Sequence, residues 1–177
     1  MIRLTLATAI LLVVQNSSAE QPTLGPVIEG FGPVYTVADR DISLIKDFKY
    51  RVVFDAAEYP GDPAALNQEL ETVARFLNMH ALNGVPAENM EVAVVLHGAA
   101  LKSTLRQDAY SKRYQVDNPN LALLMALDKA GVKLYACGQS LGFRNFSKNE
   151  LTDPVKVGLS AMTLLTTFQA DGFALLP

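Results

Sequence analysis

The chain has no tryptophan, only two histidines and a single cysteine among its 177 residues. One cysteine cannot close an internal disulfide, and beside two scattered histidines it falls short of the three or four well-spaced ligands a zinc site needs. Charge is sparse too: 15 basic against 18 acidic residues give a net charge of −3, with no run of like sign. A nucleic-acid partner is not expected from such a balance. Long apolar runs are missing from the later chain. The most apolar stretch there, Val157 to Ala170, is broken by Ser160, Thr163, Thr166, Thr167 and Gln169, and it is shorter than the roughly 20 residues that cross a bilayer. There is no Walker loop, no G-x-G-x-x-G turn after the first strand pattern, no G-x-S-x-G elbow and no H-E-x-x-H pair. What remains, 50% apolar and 19% charged, describes one globular domain that needs no disulfide or structural metal to stay folded. No cofactor and no metal site is expected.

The first 19 residues stand apart. Arg3 precedes the largely apolar run Leu4 to Val14, and Ser17-Ser18-Ala19 supplies small residues where a signal peptidase would cut. The expectation is a secretory signal and a periplasmic protein, with no membrane segment once the signal is removed. The alternative is a buried N-terminal helix. Removal takes away only Arg3, leaving 14 basic against 18 acidic residues, a net charge of −4.

Residues 20–47 carry Pro22, Gly25, Pro26, Gly30, Gly32 and Pro33 without periodicity, which predicts an extended arm. Val27, Ile28, Phe31, Val34, Tyr35 and Leu44 make it too apolar for a free linker, so it is expected to lie along its own domain or a neighbouring subunit. From residue 48 a βαβ rhythm sets in. Arg51–Ala56 reads as a strand, followed by a helix opening at Asp62-Pro63 with its apolar residues at helical spacing, Glu71 and Arg75 paired outside, and a stop at Asn83-Gly84. Val92–Leu96, apolar on both faces, reads as a covered parallel strand. A helix over Ala100–Tyr114, another from Asn118-Pro119 to Gly131, a strand Val132–Cys137, a helix near Gly138, a capping-box match at Ser147 and Glu150, a strand Val155–Gly158, a helix capped by Ser160 and a last strand Phe173–Leu176 complete the pattern. Such alternation predicts an α/β fold of three αβα layers around a mostly parallel sheet of about five strands.

In parallel α/β sheets ligands gather beyond the carboxyl ends of the strands. Those ends carry Asp55 with Glu58, His97 with Gly98, and Cys137-Gly138-Gln139-Ser140. Cys137 stands where a strand runs into a helix, and unpaired N–H groups at a helix start favour a thiolate. An ordinary thiol has a pKa of about 8.5, and a helix terminus alone supplies less than the ~1.4 kcal/mol that one unit of depression requires. A second donor is therefore needed, with His97, Ser140, Gln139 or a neighbouring subunit as candidates. Each candidate has a plainer reading: Cys137 as core filler, His97 as a ring bonded to backbone, Asp55 and Glu58 as caps. If the first strand lay between the second and third, Asp55 would be nearer Cys137 than His97 is.

Val52-Val53-Phe54-Asp55, the segment Val92–Gly98, Asn118-Pro119-Asn120-Leu121, the run Val132–Leu141 with Cys137-Gly138-Gln139-Ser140, and the ending Leu159-Ser160-Ala161-Met162 through Gly172-Phe173 together resemble the DsrE/DsrF-like superfamily. The resemblance covers about residues 48–177. It implies an αβα fold assembled as trimers or hexamers and, in the sulfur-relay members, a cysteine after the third strand that carries sulfane sulfur as a persulfide, exchanged with a donor or acceptor protein. Such members tend to have small residues and then Arg-Gly after that cysteine, where this chain has Gly138-Gln139-Ser140-Leu141 and Arg144-Asn145. They are cytoplasmic, whereas this chain carries an export-like leader and an added arm. The expectation is an exported sulfur carrier or transferase with Cys137, His97 and Asp55 as catalytic groups and Gly98, Gly138, Gln139 and Ser140 forming the binding rim. The alternative is a small-ligand-binding or scaffold protein with a passive cysteine.

Overall fold

A computed structural model describes residues 21–177; the leader expected at residues 1–19 lies outside the described residues. The valine-rich segments form the strands β1 (Tyr50–Ala56), β2 (Met90–Leu96) and β3 (Lys133–Cys137), and two three-residue strands, β4 (Lys156–Gly158) and β5 (Ala174–Leu176), complete the sheet. The helices are α1 (Gln68–Leu82), α2 (Gln107–Tyr114), α3 (Leu121–Lys129), α4 (Gly138–Arg144) and α5 (Ala161–Ala170). All strand pairs are parallel and the order is β4-β3-β2-β1-β5. The first four strands step one way across the sheet, so their connecting helices collect on one face. The last connection crosses back over three strands and lays α5 on the other. The fold is a three-layer αβα sandwich.

Alternation along the strands divides the core accordingly. Val52, Phe54, Val92, Val94, Leu96, Leu134 and Ala136 pack against Leu70, Val73 and Leu77 of α1 and Leu123, Leu124 and Leu127 of α3, while Val53, Ala93, Val95 and Cys137 meet Ala161 and Phe173 on the α5 side. β2 is buried from Val92 to Leu96 on both faces, because it lies in the middle of the sheet.

Three local expectations are corrected. The first helix starts at Gln68 instead of Asp62-Pro63, and its cap is Asn67, whose Oδ1 accepts from the backbone of Glu69 at 2.8 Å. Asp62 instead closes a turn of its own, accepting from Ala64 N at 2.8 Å. The segment Ala100–Tyr114 is split into a 3-10 turn, Ala100–Thr104, and α2, because Leu105 leaves the helix to bridge Leu151. Glu71 and Arg75 form no ion pair; Glu71 Oε1 instead accepts from Gly32 N at 3.4 Å, because the arm occupies that side of α1.

Residues 23–34 lie along α1, with Thr23 bridging Val34 and Ile28 fully buried. Asn78, itself buried in α1, clamps this segment: its Oδ1 accepts from the backbone N of Val27 (3.0 Å) and Ile28 (2.8 Å), and its Nδ2 donates to the carbonyls of Ile28, Phe31 and Gly32. Gly32, at φ +59°, lies so close to α1 that a Cβ would come within 2.4 Å of Arg75 N.

Candidate functional site

Asp55, His97 and Cys137 share one face of the sheet at its carboxyl edge. Asp55 is on the α5 side of β1 by alternation with Val53, Cys137 is on the same side of β3, and His97 follows β2 in phase with Ala93 and Val95. The sheet order places β2 between β1 and β3, so the geometry that would have put Asp55 nearest the cysteine does not occur. His97, next to Leu96, which pairs with Ala136, is the residue beside the strand end of Cys137. Asp55 instead binds His97, its Oδ1 lying 2.7 Å from Nε2 with both side chains about one-third exposed (36% and 28%). The backbone of the same histidine is fixed by its N–H to Ala56 O, at 2.9 Å.

Cys137 caps α4. Its Sγ accepts from the backbone N of Ser140 at 3.4 Å, using the orphan donors of the first helical turn. Ala161, the first residue of α5, packs in the same buried cluster as Cys137. Ser140 joins this cluster to β2: its Oγ accepts from Gly98 N at 3.3 Å. Burial is the largest influence on the thiol and pushes its pKa up. The Ser140 hydroxyl, then the N–H groups of Ser140, Ala161 and Gln139, act the other way and leave it below its ordinary value. Cys137 is only 4% exposed. The sulfur therefore has apolar neighbours on the sheet side and the first turn of α4 on the other.

Two glycines make room. At Gly138 a Cβ would lie 2.7 Å from the carbonyl oxygen of Gly158 and 3.1 Å from that of Leu159; at Gly98, with φ +50°, it would lie 2.8 Å from Ala57 O. Gln139 is exposed and contributes through its backbone. Glu58 is exposed and points its N–H at Glu69 Oε2, 2.9 Å away. Glu69 is the group the sequence pattern did not single out: burial raises its carboxyl above the usual range, backbone N–H groups of Glu58 and Ala57 oppose this, and the charges of Glu58 and Asp55 add to the rise. It sits in the first turn of α1, where an acid reads as a helix-dipole partner. Among the described residues, no three His, Cys, Asp or Glu side chains assemble as a metal site, and no helix is long and apolar enough to cross a membrane.

The family model of the DsrE/DsrF-like family matches residues 49–177. The chain belongs to the DsrE/DsrF-like family. Two solved structures are similar: a protein of unknown function, MTH1491, from Methanobacterium thermoautotrophicum (21% identity, 72% of this chain and 98% of that one, TM-score 0.51) and the ychN protein from E. coli (19% identity, 72% and 97%, TM-score 0.52). At these identities the likeness is one of fold. Among curated proteins none is significantly similar to the chain.

Proposed function

We propose that this DsrE/DsrF-like protein is an exported sulfur carrier that acts through Cys137. The observation that carries the reading is the place of Cys137 Sγ at the start of α4, where it accepts from Ser140 N at 3.4 Å and the thiol is held below its ordinary pKa, an arrangement that favours a thiolate. The Cys137 thiolate attacks the outer sulfur of a donor persulfide. The donor S–S bond breaks, the donor leaves as a thiolate, and the new S–S bond makes Cys137 a persulfide, with no net redox change. Delivery to an acceptor thiolate is the same step in reverse. The Asp55–His97 pair holds or moves the proton of the incoming or departing thiol, and the Gly98–Ser140 contact fixes the Ser140 side chain at the end of β2.

Export to the periplasm is supported by Arg3, the run Leu4–Val14 and Ser17-Ser18-Ala19. Assembly into a trimer or hexamer is supported by Phe143, near the end of α4, and Leu159 and Met162, at the start of α5, which are 88%, 70% and 78% exposed. Sedimentation equilibrium tests the assembly, and the N-terminal sequence of protein recovered from a periplasmic fraction tests the export.

A second reading rests on one observation, the 4% exposure of Cys137: a scaffold or ligand-binding protein in which the sulfur is passive. The rate at which the folded protein's thiol is alkylated at neutral pH, against Cys137→Ser as blank, separates the two. The carrier reading expects alkylation faster than that of free cysteine.

A further inference from the structure

The arm leaves Arg75 without its natural partner. Helical spacing would pair it with Glu71, one turn earlier, yet the Glu71 carboxylate is turned to Gly32 N, 3.4 Å away, and Arg75 forms no ion pair among the described residues. Arg40, farther along the arm, spends its guanidinium on Val37 O, at 3.4 Å, and on Asn83 Oδ1. Arg75 thus presents a planar fork of donors that no carboxylate of the described chain occupies.

That fork stands at an apolar groove. Pro33, Val34, Tyr35 and Val37 of the arm and Met79 of α1 line a cavity of about 400 Å³ in whose wall Arg75 is the only charged residue, a volume within the roughly 300–1,000 Å³ of small-molecule sites. A second groove of about 230 Å³ adjoins it, sharing Arg75 and Met79 and adding Phe54, Phe76 and Leu176. The walls are fixed in advance. Thr23 and Val34 exchange both backbone hydrogen bonds, at 2.7 and 3.0 Å, the Asn78 amide clamps the arm between them, and Gly32 backs directly onto Arg75 N. One unspent guanidinium between apolar walls is complementary to a molecule that is apolar along its length and anionic at one end.

We propose that the groove between the arm and α1 binds a straight-chain aliphatic carboxylate, its headgroup on the Arg75 guanidinium and its chain along Val34, Tyr35, Val37 and Met79. The fork matches a carboxylate through two parallel hydrogen bonds, and the chain sheds water against the apolar walls. A free inorganic anion has no chain for these walls, and an uncharged chain leaves the fork unmet. The α1 layer and Cys137 lie on opposite faces of the sheet, so the site does not rest on the sulfur-carrier reading.

The test is isothermal titration calorimetry of the purified protein at pH 8 with decanoate, kept below its micelle-forming concentration, beside hexanoate, decanol and the variants Arg75→Gln and Val37→Asp. Arg75 and Val37 are both exposed, so neither substitution disturbs the core. One saturable site per chain is expected for decanoate, with binding about twofold to fourfold tighter for each methylene added from hexanoate. Arg75→Gln should weaken decanoate about tenfold, the usual loss for one charge-assisted hydrogen bond, and leave decanol unchanged. Val37→Asp, which sets a like charge beside the chain, should weaken decanoate by a similar factor. Binding that does not saturate, that is as tight for decanol as for decanoate, or that either variant leaves unchanged would overturn the site.

Discussion

His97 Nε2 and Asp55 Oδ1 lie 2.7 Å apart across the ends of two adjacent strands, on the sheet face that also carries Cys137. One histidine nitrogen is thereby engaged, and the carboxylate fixes which nitrogen carries the proton. Asp55→Asn offers that nitrogen an amide in place of a carboxylate. The variant is expected to slow sulfur uptake from a persulfide donor by about tenfold to a hundredfold, in the range of acid–base contributions, with little change in thermal stability because both groups are partly exposed. Single-turnover kinetics checks it.

Ser140 couples the β2 and β3 ends. Ser140→Ala removes the hydroxyl donor and keeps the backbone N–H on Sγ, so the thiol should titrate at higher pH than in the parent protein. Its alkylation rate at pH 7 is expected to fall about threefold to tenfold. The pH profile of alkylation reads both effects. A profile identical to that of the parent would remove Ser140 from the thiolate's support.

At Gly138 there is no space for a methyl group beside the carbonyls of Gly158 and Leu159. Gly138→Ala has to displace β4 or the start of α5, and its cost is expected at about 1–3 kcal/mol, measured by chemical denaturation. The N–H of Ala161 moves with α5, so thiol reactivity should fall in the same variant.

Glu69 gives a pH test of known sign. Its carboxyl is raised in the folded state, so the favourable contribution belongs to the protonated form, complete below its ordinary value of 4.5 and lost as pH rises through the folded value. Glu69→Gln is therefore expected to be more stable than the parent at pH 7, with the difference vanishing on acidification below that ordinary value. Thermal melts at several pH values decide it.

Asn78 is fully buried and satisfies five backbone groups of the arm. Asn78→Ala strands those groups, and a loss of about 2–4 kcal/mol is expected, since each unsatisfied buried group costs about 1–3 kcal/mol. Limited proteolysis should then cut within residues 23–34 before the domain is degraded.

How much of this was readable in the chain differs by feature. The βαβ rhythm, the parallel sheet and the strand-to-helix junction at Cys137-Gly138 are local, written in short apolar runs and in a glycine placed where the chain turns. The capping box at Ser147 and Glu150 was legible in the same way, though it opens a 3-10 turn, Lys148–Glu150. The order β4-β3-β2-β1-β5 was not legible, because strands of similar composition carry no label of their neighbours. That order alone decides that His97 and not Asp55 stands beside the strand of Cys137. Asn67 is not legible as the cap because Asp62-Pro63 is the stronger local signal. The buried network with Asn120 and Ser103, which makes Asn67 the better cap, forms only between residues dozens of positions apart. The Ser140–Gly98 contact and the arm's clamp at Asn78 are long-range for the same reason.

The most direct test of the account is mass measurement of the intact folded protein after incubation with a small persulfide donor, beside Cys137→Ser. The account predicts a gain of about 32 Da, one sulfur atom on one thiol, in the parent protein, none in the variant, and loss of the added mass on exposure to an acceptor thiol. A parent protein that stays unmodified while free cysteine in the same solution takes up sulfur would contradict it and leave Cys137 a buried part of the core.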